Sequence, residues 1–471
     1  MDIPSPVAPP QPVTAPVSSA APAAGETARF VTGSPLRHVA VMTGTGAVGL
    51  VAVFVVDFLS LLYVSWLGDP SLTAGVGFAT VVLFFGVSIN IGLMIAAGAL
   101  VSRALGAGDR PLARRLAASS LVHLVIVALA ISLLMLAFLP LILGRLGATG
   151  EAYAVAERFL WITLPSNALM ALGMGYSGVL RAVGDAARAM YVTLIGGLVT
   201  AGLDPLLIFG LGLGTDGAAW ATVGSRLVFA LVGLHGAVRV HDLVARPSVA
   251  DVVADARAVY RIGFPAVLTN VAPALANAFL AGILARFGDA IVAGGSIIDR
   301  LVPVVFGGIF ALSGAVGPIL GQNWGAGRFD RMRETLRASV LFMTIYTGVV
   351  WALLLLAEGL ILRLFQITGP TAHLVSFFCW VSGALWFFNG LLFVANASFN
   401  NLGFPLYSTA FNWGRATLGT IPFALVGAWL AGPEGALAGT GVGSLVFGCA
   451  AIATAFWTIT KLAREDGRAR V

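Results

Sequence analysis

Twelve long apolar runs constrain this sequence more than any other feature. A transmembrane helix needs about 20 mainly apolar residues; hydrophobic residues make up 58% of the 471-residue chain and charged residues only 10%. Soluble domains carry about 25% charged residues, and lipid forces such runs into helices because it offers no partner to open backbone groups. The sequence therefore predicts an all-α polytopic membrane protein. Its twelve expected helices cover 41–66, 71–102, 113–143, 152–180, 188–211, 217–242, 259–285, 290–320, 334–364, 371–399, 405–431 and 435–460.

Polar stretches divide the chain into regions. The Pro/Ala-rich start ("PSPVAPPQPVTAPVSSAAPAA") has too little apolar content to fold, and it lacks the basic start and apolar core of a signal peptide. The longest polar connection between helices separates two halves of six helices each. The predicted regions are a disordered cytoplasmic tail (1–35), an N-terminal lobe (36–243), a cytoplasmic linker (244–258), a C-terminal lobe (259–463) and a second tail (464–471).

Basic side chains indicate how these helices are oriented. Of the 27 Lys and Arg residues, 20 fall in the two tails and the even-numbered loops, whereas the odd-numbered loops hold Arg145, Arg286 and Arg363. Because basic residues are enriched in cytoplasmic loops, we expect a multi-pass protein of the plasma (inner) membrane with both termini in the cytoplasm. The net charge of +6 then reflects topology, and it does not predict a nucleic-acid partner.

The two halves share four short segments in the same order, each pair 218–220 residues apart. Six helices per copy is an even number, so both copies have the same orientation and are related by an axis along the membrane normal. Two such lobes around a central cavity can rock against each other, which favours a transporter over a channel or an enzyme. The matching segments are 67–75 with 287–295, 102–109 with 321–328, 180–185 with 399–404, and 214–222 with 432–440.

Several of these segments resemble the multidrug and toxic compound extrusion (MATE) family. The likeness runs from about residue 37 to 440, and it rests on "VSRALGAGDRPLARR", "LRAVGDAARAM", "LDPLLIFGLGLGTDGAAWAT" and "GPILGQNWGAGRFDRMRE". The resemblance implies a secondary antiporter that exports small organic compounds, often cations, in exchange for inward H⁺ or Na⁺. It implies no cofactor beyond that ion and no catalytic residue, and we expect a monomer in the lipid bilayer.

Three acids lie well inside the predicted spans: Asp57, Asp204 and Asp299. A carboxylate at bilayer depth costs at least ~2.5 kcal/mol, and such acids commonly line an ion or substrate path. At 1.5 Å per residue, Asp57 and Asp204 lie within ~16 Å of the outer surface, together with the hydroxyls of Thr200 and Thr222. We therefore predict an ion-coupling site formed by Asp57, Asp204, Thr200 and Thr222.

Two carboxylates and two hydroxyls suit a proton or a sodium ion. Pro205 removes one helical hydrogen bond, so a bend there would free a carbonyl near Asp204. The resemblance supports this site, because a bacterial and archaeal branch with an N-half cation site places acids at the positions of Asp57 and Asp204 and a threonine at Thr222. An asparagine common in that branch is Thr200 here, which favours H⁺ over Na⁺. The alternative for each threonine is a bond to its own helix.

The C-terminal half differs from the N-terminal half. A second branch of the family couples through acids in helices 7 and 10, but residues 262–285 and 359–433 contain no acid. The helix-10 position aligns with Asn389. Asp299 adjoins Arg300, and an intramembrane ion pair between them that orders helix 8 is favoured over a coupling role.

Five asparagines within spans are candidates for lining the central cavity, although asparagine also joins neighbouring helices. They are Asn167, Asn270, Asn277, Asn389 and Asn396. Two other functions stay open: a flippase of the same superfamily for lipid-linked substrates, which a basic cavity would favour, and a membrane-embedded enzyme. The five histidines are scattered, and no phosphate-binding glycine motif, metal motif or disulfide framework is present in the sequence.

Cysteine tags test the predicted orientation. A cysteine replacing Ala107 or Arg246 should react with a membrane-impermeant reagent only from the cytoplasmic side, because both positions fall in even-numbered loops. A cysteine replacing Asp216 should react only from outside. The measurement compares labelling of intact cells with labelling of inverted vesicles, and labelling of the Asp216 position from the cytoplasm would overturn the topology.

Overall fold

The structure is a computed structural model that describes residues 28–469, and helices account for nearly all of that range, with no strand in it. The predicted all-α polytopic fold is confirmed, and twelve helical segments coincide with the predicted spans. They are α1 (Pro35–Ser65), α2 (Pro70–Gly106), α3 (Arg110–Ala137), α4 (Gly150–Thr163 with Asn167–Val183), α5 (Ala186–Gly210), α6 (Gly214–Val240), α7 (Val249–Phe287), α8 (Asp289–Val305 with Gly307–Gly325), α9 (Phe329–Leu364), α10 (Gly369–Asn401), and α11 and α12 (together Pro405–Gly467).

Several of these helices are interrupted, and the sequence explains where. Pro165 lies in a 3₁₀ turn that divides α4, and Pro205 is followed by a π-helical turn that ends α5. The halves of α8 meet at Phe306 with a bend of 45°, soon after Pro303. Proline removes a helical hydrogen bond and clashes with the preceding turn. Beside Asp204 the structure has a π-helical turn directly after Pro205, and the bend with a freed carbonyl expected there stays a prediction.

The two lobes, α1–α6 and α7–α12, meet where α1 begins and α12 ends, which we call the terminal side of the membrane. An added Cβ at Gly106 would lie 2.0 Å from the carbonyl oxygen of Gln322, and one at Gly325 would lie 2.1 Å from that of Arg103. The Arg103 side chain donates to the Asn401 carbonyl at 2.7 Å. At these points backbone touches backbone, so the terminal side of the protein is closed.

The segment before α1 reinforces this closed side. Phe30 is 1% exposed, and its N–H donates to Gln322 Oε1 at 2.8 Å. Arg331 of α9 donates to the Phe30 carbonyl at 3.1 Å, and Arg29 donates to the Gly184 carbonyl at 2.8 Å. Residues 29–33 therefore bridge both lobes, and we call them the N-terminal strap.

The strap lies within the stretch 1–35 that the sequence predicts as a disordered tail. The first 27 residues of that stretch lie outside the described residues. From Arg29 onward the structure differs from the prediction, because one buried phenylalanine and four hydrogen bonds compensate for the missing apolar content. The Phe30 N–H donates to Gln322, and Arg331 donates to three carbonyls of the strap.

A second set of contacts connects the lobes, between α3 and the start of α7. Arg115 pairs with Asp255 at 2.9 Å, the Ser119 hydroxyl donates to Asp255 at 2.8 Å, and His123 Nε2 contacts the Val252 carbonyl at 3.0 Å. The helix α7 begins at Val249, so it includes most of the predicted linker 244–258. At the other end, α12 continues into the predicted tail, as far as Ala469.

Replacing Phe30 by alanine should lower the free energy of unfolding by roughly 3 kcal/mol, because a fully buried aromatic side chain leaves a cavity. The measurement is thermal unfolding of the purified protein in detergent. Phe138→Ala is the matched control, since Phe138 is 51% exposed and should lose little stability. Equal losses in the two variants would contradict the packing of the strap.

Candidate functional site

Close packing of α1 on α5 positions the two predicted acids of the N-terminal lobe. An added Cβ at Gly49 would lie 2.4 Å from the Thr193 hydroxyl, and one at Gly197 would lie 3.3 Å from Val56 Cγ2. Small residues allow helix backbones in membranes to approach closely. The two helices therefore run side by side up to the level at which both acids lie.

Asp204 is the buried member of this pair, with an exposure of 1%. The hydroxyl of Ser60, on α1, donates to Asp204 Oδ2. Asp204 Oδ1 is buried and has no hydrogen-bond partner among the described residues. A buried carboxylate with an unsatisfied oxygen is poorly stabilised as an anion, so this oxygen is a natural acceptor for a proton or an ion.

Asp57 is the accessible member of the pair. The Asp57 side chain is exposed on α1, so neighbouring helices do not cover it. Asp57 and Asp204 interact electrostatically, although no hydrogen bond joins them within the described part of the chain. The site thus combines one exposed acid with a second, buried acid on the adjacent helix.

The two threonines bond to their own helices. The Thr200 hydroxyl donates to the Gly196 carbonyl at 3.2 Å, and the Thr222 hydroxyl donates to the Ala218 carbonyl at 3.0 Å. This is the arrangement that the sequence offers as the alternative to ion binding. Their hydroxyl protons are occupied, so either threonine contributes to the site only through an oxygen lone pair.

The sequence prediction missed Ser60, which the structure connects directly to Asp204. The available signal was its spacing, because Ser60 follows Asp57 by three residues, and residues three apart lie on the same face of a helix. A hydroxyl one turn from an intramembrane acid was therefore the feature to examine.

Arg226 of α6 holds the broken helix α4 together. Its guanidinium donates to the Thr163 carbonyl at 2.7 Å and to the Ser166 hydroxyl at 2.9 Å. Both acceptors flank the 3₁₀ turn at Pro165. The sequence alone gives this arginine no role, because its hydrogen bonds depend on a break in another helix.

The five candidate cavity asparagines fall into two groups. Asn167 and Asn396 are 5% exposed and join helices: Asn167 accepts from Asn90 at 2.9 Å, and Asn396 accepts from Asn412 at 2.8 Å. The other three are half-buried or exposed, as a lining role requires. They are Asn270, Asn277 and Asn389.

The expected ion pair between Asp299 and Arg300 is wrong for this structure. Both side chains are exposed, and neither takes part in any ion pair or hydrogen bond within residues 28–469. Adjacent residues on a helix point in directions about 100° apart and do not face each other. The two charges are therefore free to act separately.

The MatE family model matches residues 47–206 and 265–426. One match lies in each lobe, and their first residues are as far apart as the repeated segments of the sequence. A FAD transporter of Shewanella oneidensis is 25% identical over 409 residues, covering 86% of this chain and 90% of the relative. The multidrug export protein MepA of Staphylococcus aureus is 25% identical over 359 residues, covering 74% and 77%.

Solved structures agree in fold. A Vibrio cholerae MATE transporter, VcmN, superposes with a TM-score of 0.84 at 23% identity, covering 92% of this chain and 97% of that chain. A MOP superfamily transporter from Pyrococcus furiosus superposes with a TM-score of 0.86 at 20% identity, covering 93% and 99%. At these identities the likeness concerns the fold alone.

Arg226→Met should destabilise the N-terminal lobe, because it removes two hydrogen bonds from a charged donor to buried acceptors, each contributing roughly 1.5–3 kcal/mol. Arg226→Lys should recover part of the loss. Melting temperature in detergent provides the measurement, and Arg145→Met, at an exposed position, provides the control. An unchanged melting temperature in Arg226→Met would show that α4 needs no such support.

Proposed function

The chain belongs to the MatE family of efflux transporters, and we propose that it exports organic compounds, often cations, in exchange for inward H⁺. The observation that carries this proposal is the acid pair of the N-terminal lobe, in which Asp57 is exposed and Asp204 is buried on the neighbouring helix α5. Acids at bilayer depth that face a cleft are the usual elements of proton relays. The proposal places the protein in the plasma membrane as a monomer with cytoplasmic termini.

Alternating access follows from the way in which the lobes meet. Backbone contacts at Gly106 and Gly325 close the terminal side, while Asp57 is exposed nearer the other end of α1. In this proposal the structure corresponds to a state open on the side opposite the termini. Rocking of the lobes would break the contacts on the terminal side and expose the same acids there.

A proton suits this site better than a sodium ion. Sodium needs several oxygens that converge at fixed distances, whereas the hydroxyls of Thr200 and Thr222 already donate within their own helices. A proton needs a single carboxylate oxygen, and Asp204 Oδ1 is buried without a partner among the described residues. Burial and a neighbouring acid both favour proton uptake by carboxyl groups in general.

The coupling then depends on competition for one carboxylate. A cationic substrate bound beside ionised Asp57 is displaced when a proton from the open side neutralises that group. The protonated protein reverses its opening and releases the proton on the terminal side, which restores the affinity for the next cation. Substrate and proton never occupy Asp57 together, so each crosses the membrane in the opposite direction to the other.

A second candidate is export of a compound that carries phosphate groups. Arg300 is exposed within a membrane-spanning helix and has no ion pair within residues 28–469, and one relative is named a FAD transporter. A phosphate group is common to a dinucleotide and to a lipid headgroup. Transport assays with a flavin dinucleotide and with a fluorescent phospholipid would distinguish those two substrates from a cationic dye.

Neutralising either acid should uncouple transport. We expect Asp57→Asn and Asp204→Asn to lower ΔpH-driven efflux of a cationic dye from proteoliposomes by roughly tenfold or more, equivalent to at least ~1.4 kcal/mol. The native protein should respond to ΔpH in sodium-free buffer. If transport required Na⁺ and did not respond to ΔpH, the coupling ion would be Na⁺, and the assignment of the site to Asp57 and Asp204 would still hold.

Asp299→Asn is the matched control for this experiment, because Asp299 is an exposed intramembrane acid of the other lobe. It should retain substantial efflux. Unimpaired coupled efflux in the double variant Asp57→Asn, Asp204→Asn would show that these acids are not the coupling site. Loss of coupling in a folded Asp299→Asn protein would show that both lobes contain an ion site.

A further inference from the structure

Arg181 places a guanidinium between the two lobes. It lies two residues before the end of α4, and an added Cβ at Gly314 of α8 would lie 3.0 Å from Arg181 Nη1. Since α4 belongs to the N-terminal lobe and α8 to the C-terminal lobe, the side chain of Arg181 reaches across the interface. Glycine at position 314 leaves the room that the guanidinium occupies.

The guanidinium lies deeper in the membrane than the contacts that close the terminal side. One residue after Arg181, the Ala182 carbonyl accepts from Gln322 of α8 at 2.7 Å, so the end of α4 belongs to the closed side. Gly314 precedes Gln322 by eight residues, which is about 12 Å along a helix. Helical side chains lean toward the N-terminus of their helix, and α4 runs toward the terminal side, so Arg181 extends away from the closed contacts.

The neighbours of Arg181 on α4 show that this side of the helix faces protein and not lipid. Ser177, four residues earlier, donates to the Ala189 carbonyl of α5 at 3.4 Å. Gly178, three residues earlier, faces α2, since an added Cβ there would lie 2.9 Å from Met94 Cγ. Residues three and four apart share a face of a helix, so Arg181 points between α2 and α5 toward α8.

The side chain of Arg181 has no partner in the described part of the chain. It is half-buried, and none of its nitrogens takes part in a hydrogen bond or ion pair within residues 28–469. The next acid along the chain, Asp185, is paired with His241 at 2.8 Å and with Arg188. None of the side-chain nitrogens of Arg181 is sealed from water, so an anion that enters between the lobes can reach them.

Other arginines at this interface have acceptors. Arg29, Arg103 and Arg331 each donate to a backbone carbonyl on the terminal side. A buried charge without a partner is costly, and a guanidinium presents five donors in a fixed fork that matches the oxygens of a phosphate group. Among these four arginines, Arg181 is the one whose donors are available to a ligand.

The acid pair of the N-terminal lobe does not neutralise this charge. Gly46 of α1 packs against Ala311 of α8, which precedes Gly314 by three residues. Asp57 lies eleven residues beyond Gly46 on the unbroken helix α1, away from the terminal side. At 1.5 Å per residue, Asp57 and the Arg181 guanidinium differ in height by roughly 20 Å. The charge of Arg181 is therefore left for a ligand.

We propose that Arg181 forms an anion-binding site between the lobes, and that this site binds the phosphate group of an organic compound that the protein exports. The inference rests on the proposed function, and within it on the export of phosphate-bearing compounds, for which it supplies the residue that recognises the phosphate. Rocking that separates the terminal contacts would open this site to the cytoplasm, which is where an exported compound is loaded.

Titration calorimetry with inorganic pyrophosphate, on the purified full chain in a neutral detergent, tests the site. We expect the native protein to bind pyrophosphate and Arg181→Gln to bind it roughly tenfold or more weakly, because bonds from a charged donor to phosphate are lost. Arg181→Lys should fall between the two, since it keeps the charge without the planar fork of donors. No binding to the native protein, or equal affinity in Arg181→Gln, overturns the proposal.

Arg415→Gln is the matched control. Arg415 is also half-buried, and its side chain has no partner within residues 28–469, but it lies on α11, within the C-terminal lobe. Its replacement removes the same charge and should leave the affinity for pyrophosphate at the native value. Equal weakening in Arg415→Gln and Arg181→Gln would show a general effect of charge and overturn the proposal. Neither arginine loses a bond of the described structure, so both variants should keep melting temperatures close to that of the native protein.

A second pair of variants tests the site from the other lobe. Gly314→Asp places a carboxylate beside the Arg181 guanidinium and should abolish pyrophosphate binding, since the two side chains then pair. Gly314→Asn adds nearly the same volume without the charge and should bind pyrophosphate more tightly than Gly314→Asp. Equal affinities in these two variants would overturn the proposal, whatever the folding of Arg181→Gln.

The same titration distinguishes two sources of a phosphate group. Flavin mononucleotide represents a water-soluble phosphate ester, riboflavin is its neutral control, and short-chain phosphatidylglycerol represents a lipid headgroup. A phosphate compound that binds more weakly to Arg181→Gln supports the anion site, and the tighter of the two identifies its source. If the affinity for neither compound depends on Arg181, the assignment to an exported organic phosphate is overturned.

These binding measurements need no transport, so they separate the anion site from the proposed function. If pyrophosphate binding depends on Arg181 while proteoliposomes exchange no protons for any organic compound, the proposed function is wrong and the anion site stands. If ΔpH drives export of a cationic dye while the native protein binds no pyrophosphate, the proposed function stands and the anion site is wrong.

Discussion

Contact between bare backbones on the terminal side is the constraint on which the rest of the structure depends. At Gly106 and Gly325 the lobes approach so closely that an added Cβ would lie about 2 Å from a carbonyl oxygen of the other lobe. Because the lobes meet there, an opening between them can form only toward the opposite face of the membrane. In the proposed function such an opening gives access to Asp57, which is exposed.

The proposed rocking would require each lobe to move as a unit, and hydrogen bonds between polar groups inside each lobe favour such movement. Arg226 connects α6 to the interrupted helix α4, and Asn167 and Asn396 form amide contacts between helices within their own lobes. In lipid a broken helix must find partners for its freed backbone groups within the protein. These bonds lie within lobes, so they survive a movement that breaks only the contacts between lobes.

Much of this architecture was predictable, because the bilayer fixes helix length and the sequence repeat fixes the relation of the lobes. Helix rise alone also predicts a similar depth for Asp57 and Asp204. Ser60 and Arg226 were harder, since each bonds to a different helix and helix-to-helix contacts leave no local pattern. The prediction of an ion pair between Asp299 and Arg300 was wrong because adjacent residues on a helix point in different directions. Composition likewise could not predict that Phe30, a single aromatic residue in a Pro/Ala-rich stretch, is buried.

The N-terminal strap and the start of α7 occupy corresponding places. Arg331 of α9 holds the segment before α1, and Arg115 of α3 holds the segment that begins α7, so the third helix of each lobe grips the leading segment of the other. Two separate six-helix chains with this geometry would form a dimer in which the leading segment of each chain binds to the third helix of the other. In a single chain both halves are always present together. Either half expressed alone would carry a leading segment whose binding site lies on the missing half.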